Sequence, residues 1–303
     1  MDNPYFIAIG PPKTGTTWLY KTLIKHPQIE MPPVKEIRYF WEKAFLGKAG
    51  LRQKLFSTHW HFRSKRKYIR QRIKLHCRSL LSFKLDWKSV KWDLKYFFLT
   101  HDDQWYLNLF SYNKISGDIT PKYCELPEIE IESIKQLLPN LKIIISLRDP
   151  VERDWSRAKM NLIKKRFKND SHVFPDEFIK HFKQKLQNKA NDYVELVERW
   201  SKYFPQKNIF IFFQEQLEND SSEVFRNLCD FLEIDVVNIG DVVTEKFNRG
   251  VQMTIPSKYL KLLIELNLGY LEKMPDYFTQ KYPKLWLSKY KSIVVDDQSS
   301  SYS

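Results

Sequence analysis

The chain has 303 residues, of which 43% are hydrophobic and 15% aromatic, and it carries a formal net charge of +14 at pH 7. This composition supplies a sizeable core for one large domain or two small ones, and no apolar run approaches the length of a membrane span. Three widely spaced cysteines, Cys77, Cys124 and Cys229, argue against a disulfide framework or a zinc site and for a reducing compartment. The chain enters a strand almost at once, so no secretory leader is expected and the cytoplasm is the default location.

The first predicted element is a strand over Tyr5–Ile9. It breaks at Gly10-Pro11-Pro12 and restarts as a helix over Thr16–Lys25, closed by His26-Pro27. Strand, loop and helix in this order aim backbone N–H groups and the positive end of a helix dipole at one anion. Gly10 and Gly15 have the spacing of the nucleotide-triphosphate loop G-x-x-x-x-G-K-[ST], but Thr16 stands where that loop needs its lysine. The lysine comes earlier, at Lys13, facing a different part of a ligand. A nucleotide with a shorter phosphate chain is therefore expected.

Lys35–Trp41 then approaches the site, and residues 44–98 read as largely helical. Between His59 and Lys95, twelve lysines and arginines face only Asp86 and Asp93. Trp60, Phe62, Tyr68, Phe83, Trp87 and Trp92 are interleaved with them, either as stacking platforms for sugars or bases or as core. The basic stretch reads either as solvated helix faces or as a field that attracts an acidic acceptor or an anionic cofactor. Further on, a short strand is predicted over Lys114–Asp118 and a helix over Glu128–Leu138, stopped by Pro139-Asn140. A buried strand over Lys142–Leu147 is followed by helices over Val151–Lys165, Pro175–Gln187 and Tyr193–Tyr203. A strand over Ile209–Phe213 and a helix over Ser222–Leu232 follow, and the serine-rich end Asp296–Ser303 is expected to be disordered. Strand and helix alternate, which is the signature of a mostly parallel α/β sheet covered on both faces. With no internal repeat and no glycine-rich linker, we read one domain over residues 1–295 with a helical insertion at about 44–100.

Pro12-Lys13-Thr14-Gly15-Thr16-Thr17-Trp18-Leu19 resembles the 5′-phosphosulfate loop of sulfotransferases that use 3′-phosphoadenosine 5′-phosphosulfate. The strand Lys142–Leu147 followed by Arg148-Asp149-Pro150, with Ser156 eight positions after the arginine, is similar to the 3′-phosphate motif of the same family. Tyr193 to Trp200 with Phe204-Pro205, and Gly117-Asp118-Ile119-Thr120-Pro121-Lys122-Tyr123, resemble two further segments, the latter common in carbohydrate and bacterial members. Phe247-Asn248-Arg249-Gly250 is similar to the R-x-G loop that closes over the 3′-phosphate, or else is an ordinary turn. Val34 to Trp41 resembles the K-E-P-H-F-F segment of glycan sulfotransferases, whose glutamate is the base, with Ile37 and Arg38 in place of Pro and His. In all, about two-thirds of the chain follows the family pattern. The resemblance implies a three-layer, P-loop-like α/β fold and the phosphosulfate donor, leaving 3′-phosphoadenosine 5′-phosphate, with no metal. It implies donor contacts from Lys13, Thr14, Gly15, Thr16, Thr17, Trp18, Arg148, Ser156, Arg249 and Gly250, and catalytic roles for Lys13 and Glu36.

The chemistry agrees with those assignments. In-line sulfuryl transfer develops charge on the bridging oxygen of the leaving phosphate, and a fixed cation such as Lys13 lowers that barrier. Arg148 offers a planar, permanently charged fork for a second phosphate. The acceptor must lose a proton. Glu36, flanked by Lys35 and Arg38, stays ionised and suits a base, or is simply ion-paired. His101, His59 and Asp118 are the alternatives, although a lone histidine is more often structural. Lys35 assists Lys13 or binds the acceptor, and Trp18 flanks the adenine or is a buried helix aromatic. The acceptor is expected to be a carbohydrate or small molecule with a hydroxyl or amine, acidic in keeping with the positive field, with residues 44–100 as its wall. No nucleic-acid partner is expected. The rival readings are a P-loop kinase of a small acceptor, which needs a lysine after Gly15, and a non-catalytic polyanion-binding protein, which leaves both phosphate motifs unexplained.

Overall fold

Continuous apolar runs build the centre of the molecule. In the computed structural model, four parallel strands, β1 (Phe6–Ala8), β2 (Gly117–Ile119), β3 (Lys142–Leu147) and β4 (Ile209–Phe213), lie in the order β2-β1-β3-β4. The structure describes residues 4–47, 56, 60–81, 86–111, 113–163, 175–185, 190–240 and 254–300. Ile7, Ile143, Ile145, Leu147 and Phe213 point into one core, whereas Phe6, Ala8, Ile144 and Phe212 point into the other. Successive strand side chains face opposite sides, so a sheet that is apolar on both faces requires helices on both. This is the three-layer α/β arrangement expected from the sequence.

On the smaller core face lie α1 (Thr16–Leu23) and, on the far side of the kink at Asp220, the second half of the long helix Gln214–Leu232. The sequence places a helix start at Ser222, and in the structure Asp220 accepts from Ser222 N at 3.0 Å and Glu223 N at 2.9 Å. The helix continues upstream of that cap. The larger core gathers α2 (Tyr39–Leu46), α4 (Trp87–Phe98) and the short α5 (Asp103–Leu107), while the basic helix α3 (Trp60–Leu81) packs on α4 through Tyr68, which meets Tyr96 and Phe97. The larger core also takes α6 (Glu128–Leu137), α7 (Pro150–Ala158), α8 (Pro175–Lys185) and α9 (Tyr193–Ser201). In chain order Gln214–Leu232 is α10, and α11 (Ser257–Tyr277) and α12 (Lys281–Ser300) close the described chain.

Several boundaries shift from expectation for identifiable reasons. β2 begins at Gly117 rather than Lys114, because its register partners on β1 start at Phe6. A Cβ on Gly117 would lie 2.4 Å from the Phe6 ring, so the strand can approach only through glycine. The helix after β3 gives way at Lys159–Ile163 to a π-helical turn. The C-terminal helix runs to Ser300, across residues 296–300 where a disordered tail is expected. The helical insertion is tied into the domain. Trp92 Nε1 donates to Leu109 O at 2.8 Å, Trp105 Nε1 donates to Lys95 O at 2.8 Å, and Lys65 pairs with the buried Glu42 at 2.5 Å. Of its interleaved aromatics, Trp92 stacks on buried Tyr96 whereas Trp87 is exposed.

Candidate active site

The loops that follow β1 and β3 meet at the carboxyl edge of these neighbouring strands. The chain order reverses there, which is where open α/β sheets form their crevices. Gly10 lies against β3: a Cβ there would be 2.3 Å from Ser146 Oγ and 2.5 Å from its carbonyl oxygen. The Thr14 hydroxyl donates to Pro11 O at 2.7 Å and lies 2.6 Å from Ser146 Oγ. Thr14, expected among the hydroxyl donors to a ligand, is fully buried and spends its hydroxyl holding the loop's shape.

Lys13 and Gly15 both have positive φ, 81° and 98°, the kind of backbone that turns N–H groups toward one side in anion-binding nests. Gly15 is also the N-cap of α1 and offers no capping side chain. α4, α5, α7 and α9 begin instead on Asp86, Asp102, Asp149 and Asp192, each of which accepts first-turn N–H groups. No side chain therefore stands between the start of α1 and an anion in the crevice.

Cations converge on this cradle. Lys35 Nζ donates to Thr16 Oγ1 at 3.3 Å and Thr17 Oγ1 at 3.1 Å. Burial pushes the Lys35 ammonium below its ordinary range, Glu36 opposes that shift, and the positive charges of Lys13 and Arg38 add to it. Arg148 Nη1 donates to the Lys13 carbonyl at 3.4 Å, which joins the two phosphate motifs. Its other nitrogen lies 3.8 Å from Glu152. Ser156 is half-buried on α7, one turn beyond Glu152. Lys159, one turn further, is lowered by burial, against the pull of Glu152, and by the charge of Arg148. Sequence reading missed Lys159, although its spacing of three from Ser156 puts it on the same helix face.

Trp18 is only 5% exposed and meets Phe212 edge-on with ring centroids 6.1 Å apart. The structure places it in the smaller core beneath the loop. His101 is also internal: it stacks on Trp105 at 3.7 Å, and Nε2 lies 3.1 Å from the Tyr96 carbonyl. His59, Arg249 and Gly250 lie outside the described residues.

Glu36 and Arg38 form an ion pair with each other, with Arg38 Nε donating at 3.1 Å. Both residues have positive φ, 68° and 65°, which costs non-glycine residues about 1 kcal/mol or more each. Asp118 helps hold this strained turn in place. Its buried carboxylate accepts from Ile37 N at 3.4 Å, Thr120 Oγ1 at 2.7 Å, Tyr123 OH at 2.7 Å and Tyr106 OH at 3.3 Å. Thr120 Oγ1 in turn accepts from Arg38 N at 3.3 Å. The Gly117–Tyr123 segment is thus a brace beneath the Glu36 turn, with Asp118 sealed from acceptors.

Comparison with known proteins follows this geometry. A sequence model described as the sulfotransferase family matches residues 4–238. The membrane-associated sulfotransferase kil1 of Dictyostelium discoideum is 29% identical over 159 residues, which is 52% of this chain and 23% of that protein. The chain therefore spans about a quarter of the length of this curated relative. The crystal structure of a sulfotransferase from Alicyclobacillus acidocaldarius superposes with a TM-score of 0.64 at 17% identity, covering 94% of this chain and 99% of that one. Mouse sulfotransferase SULT7A1, solved with PAP, superposes with a TM-score of 0.50 at 15% identity, covering 95% and 88%. At these identities the structural likeness establishes the fold.

Proposed function

The chain belongs to the sulfotransferase family, and on that footing we propose that it moves a sulfuryl group from 3′-phosphoadenosine 5′-phosphosulfate to a hydroxyl or amine of a carbohydrate or small-molecule acceptor, without a metal. The observation that carries this reading is the hydrogen bond from Arg148 to the Lys13 carbonyl at 3.4 Å. It sets two anion grips side by side, as a nucleotide with a 5′ and a 3′ phosphate requires. The uncapped start of α1 and the nest at Lys13–Gly15 fit the 5′ group, and Arg148, Ser156 and Lys159 fit the 3′ group.

The bound donor supplies the sulfuryl group and a phosphate leaving group. The chain's own residues supply the rest. Backbone N–H groups of Thr14 to Thr17 orient the 5′ phosphate, and Lys13, seconded by Lys35, neutralises the charge that develops as the sulfur–oxygen bond breaks. Glu36 takes the acceptor proton and leaves its ion pair with Arg38 to do so. Residues 44–100 wall the acceptor, and their cations favour an acidic one. The free cysteines support a cytoplasmic location.

The deciding experiment is calorimetric titration of 3′-phosphoadenosine 5′-phosphate into wild type, Lys13→Ala and Arg148→Ala, with ATP as control. Binding that needs no magnesium is expected. Arg148→Ala should weaken it by roughly 10- to 100-fold, the worth of a charged hydrogen-bonding group. Lys13→Ala should lower turnover by about 100- to 1,000-fold. Preference for ATP with magnesium would replace this reading with the kinase.

A further inference from the structure

The solvent side of α4 has a composition that water alone does not account for. Its inward face is settled: Asp93 and Tyr96 are buried, and Trp92 stacks on Tyr96 with centroids 5.0 Å apart. The outward stripe runs Trp87, Lys91, Leu94, Lys95 and Phe98, positions that recur at helical spacing and share one face. Trp87 is 66% exposed, Leu94 52% and Phe98 64%, and both lysines are exposed as well. Three large apolar side chains thus alternate with two ammonium groups on a single exposed helix face.

The charge around this stripe is predominantly positive: Glu30 pairs with Lys88 at 2.7 Å, and the acids of α4 itself have partners. Asp86 accepts from Lys88 N at 3.0 Å and Ser89 N at 3.3 Å as the cap of α4. Asp93 is held at 2.7 Å by Arg72 and at 2.6 Å by His76. The partner helix α3 contains no acid, and Lys67, Arg70 and Lys74 are exposed on it at positions that again recur at helical spacing. The surface of the α3–α4 pair therefore presents cations with apolar side chains among them.

We propose that this surface docks on a membrane leaflet rich in anionic phospholipid, with Trp87, Leu94 and Phe98 in the headgroup–acyl boundary and the lysines and arginines at the phosphates. An aromatic and aliphatic face flanked by flexible cations is what lies flat in a bilayer interface, and each basic side chain adds attraction to an anionic leaflet. A soluble polyanion would use the cations and the aromatic faces of Trp87 and Phe98, but exposed Leu94 offers a glycan or nucleic acid no stacking face.

Co-sedimentation of the full chain with phosphatidylcholine vesicles, with and without phosphatidylserine, tests this docking. Binding is expected to the anionic vesicles only and to weaken with salt. Trp87→Ser/Phe98→Ser and Lys91→Glu/Lys95→Glu should each weaken it by about tenfold or more. The melting temperature and 3′-phosphoadenosine 5′-phosphate binding of both variants should stay at wild-type values, because all four side chains are exposed and distant in role from the nucleotide grips. If one pair fails to fold, the other still decides. Absence of vesicle binding would overturn the proposal. So would binding that the Trp87/Phe98 pair leaves intact, or capture by heparin in place of vesicles, since either result would make the surface a polyanion site.

Discussion

At the scale of single residues, burial opposes the ionisation of Asp118. Burial raises its carboxyl from 3.8 to about 6, against four hydrogen-bond donors that pull it down. The folded chain therefore holds this proton more tightly than the unfolded chain does. Its contribution to stability is full below the unfolded value and is lost as pH rises through about 6. That loss is worth about 3 kcal/mol on the usual conversion of pKa to free energy. Asp118→Asn should flatten the melting-temperature profile over that interval. Because one acceptor oxygen is lost from the brace under Ile37 and Thr120, turnover should also fall by about 10- to 100-fold, with nucleotide binding nearly unchanged. A profile that keeps its slope would mean that another carboxylate titrates there.

Among the elements, α12 carries a role that its position late in the chain conceals. Tyr290 donates to Asp149 Oδ2 at 2.5 Å, and Trp286 Nε1 donates to Glu215 at 3.1 Å. Glu215 also accepts from Asp149 N at 3.1 Å. Asp149 caps α7 and adjoins Arg148, so the last helix buttresses the turn that aims the arginine. Burial and the neighbouring Asp149 push the Tyr290 hydroxyl far above its ordinary range, which keeps it a donor. Tyr290→Phe should lower unfolding free energy by about 1–3 kcal/mol in denaturant titrations and weaken nucleotide binding several-fold. Unchanged binding would show that the turn holds Arg148 without this support. α11 is anchored by the same means, through Asn267, which accepts from Asn191 at 2.6 Å and donates to Asp154 at 3.3 Å.

For the whole molecule, the two cores meet across one sheet, and the candidate site draws its loops from both sides of the β1–β3 pair. A ligand that bridges these loops ties the layers together. With 3′-phosphoadenosine 5′-phosphate at about a hundred times its Kd, linkage adds about 2.7 kcal/mol to stability, so the melting temperature should rise by several degrees. Magnesium should add nothing to that rise. A rise that appears only with ATP and magnesium would point to phosphoryl transfer.

The elements and the candidate anion motifs were legible in the chain because their signals are local. The unbroken run of Ile143, Ile144 and Ile145 specifies a strand buried on both faces, Gly15 permits a φ of 98°, and Asp149-Pro150 starts a helix. The sulfotransferase family was legible for the same reason: its motifs are short and their spacing is set by backbone geometry. Tertiary structure alone decided which side chains cooperate. Lys35 reaches Thr16 and Thr17, and Thr14 turns inward to Ser146, 132 positions away. Trp18 joins a core, and Asp118, a candidate base in sequence, becomes a brace. The C-terminal helices, which match no sequence motif, secure the Arg148 turn through Tyr290 and the body of α7 through Asn267. Contacts of this kind link residues far apart in the chain, and neither period nor propensity encodes them. They exist only once the strands have set the distance between their loops.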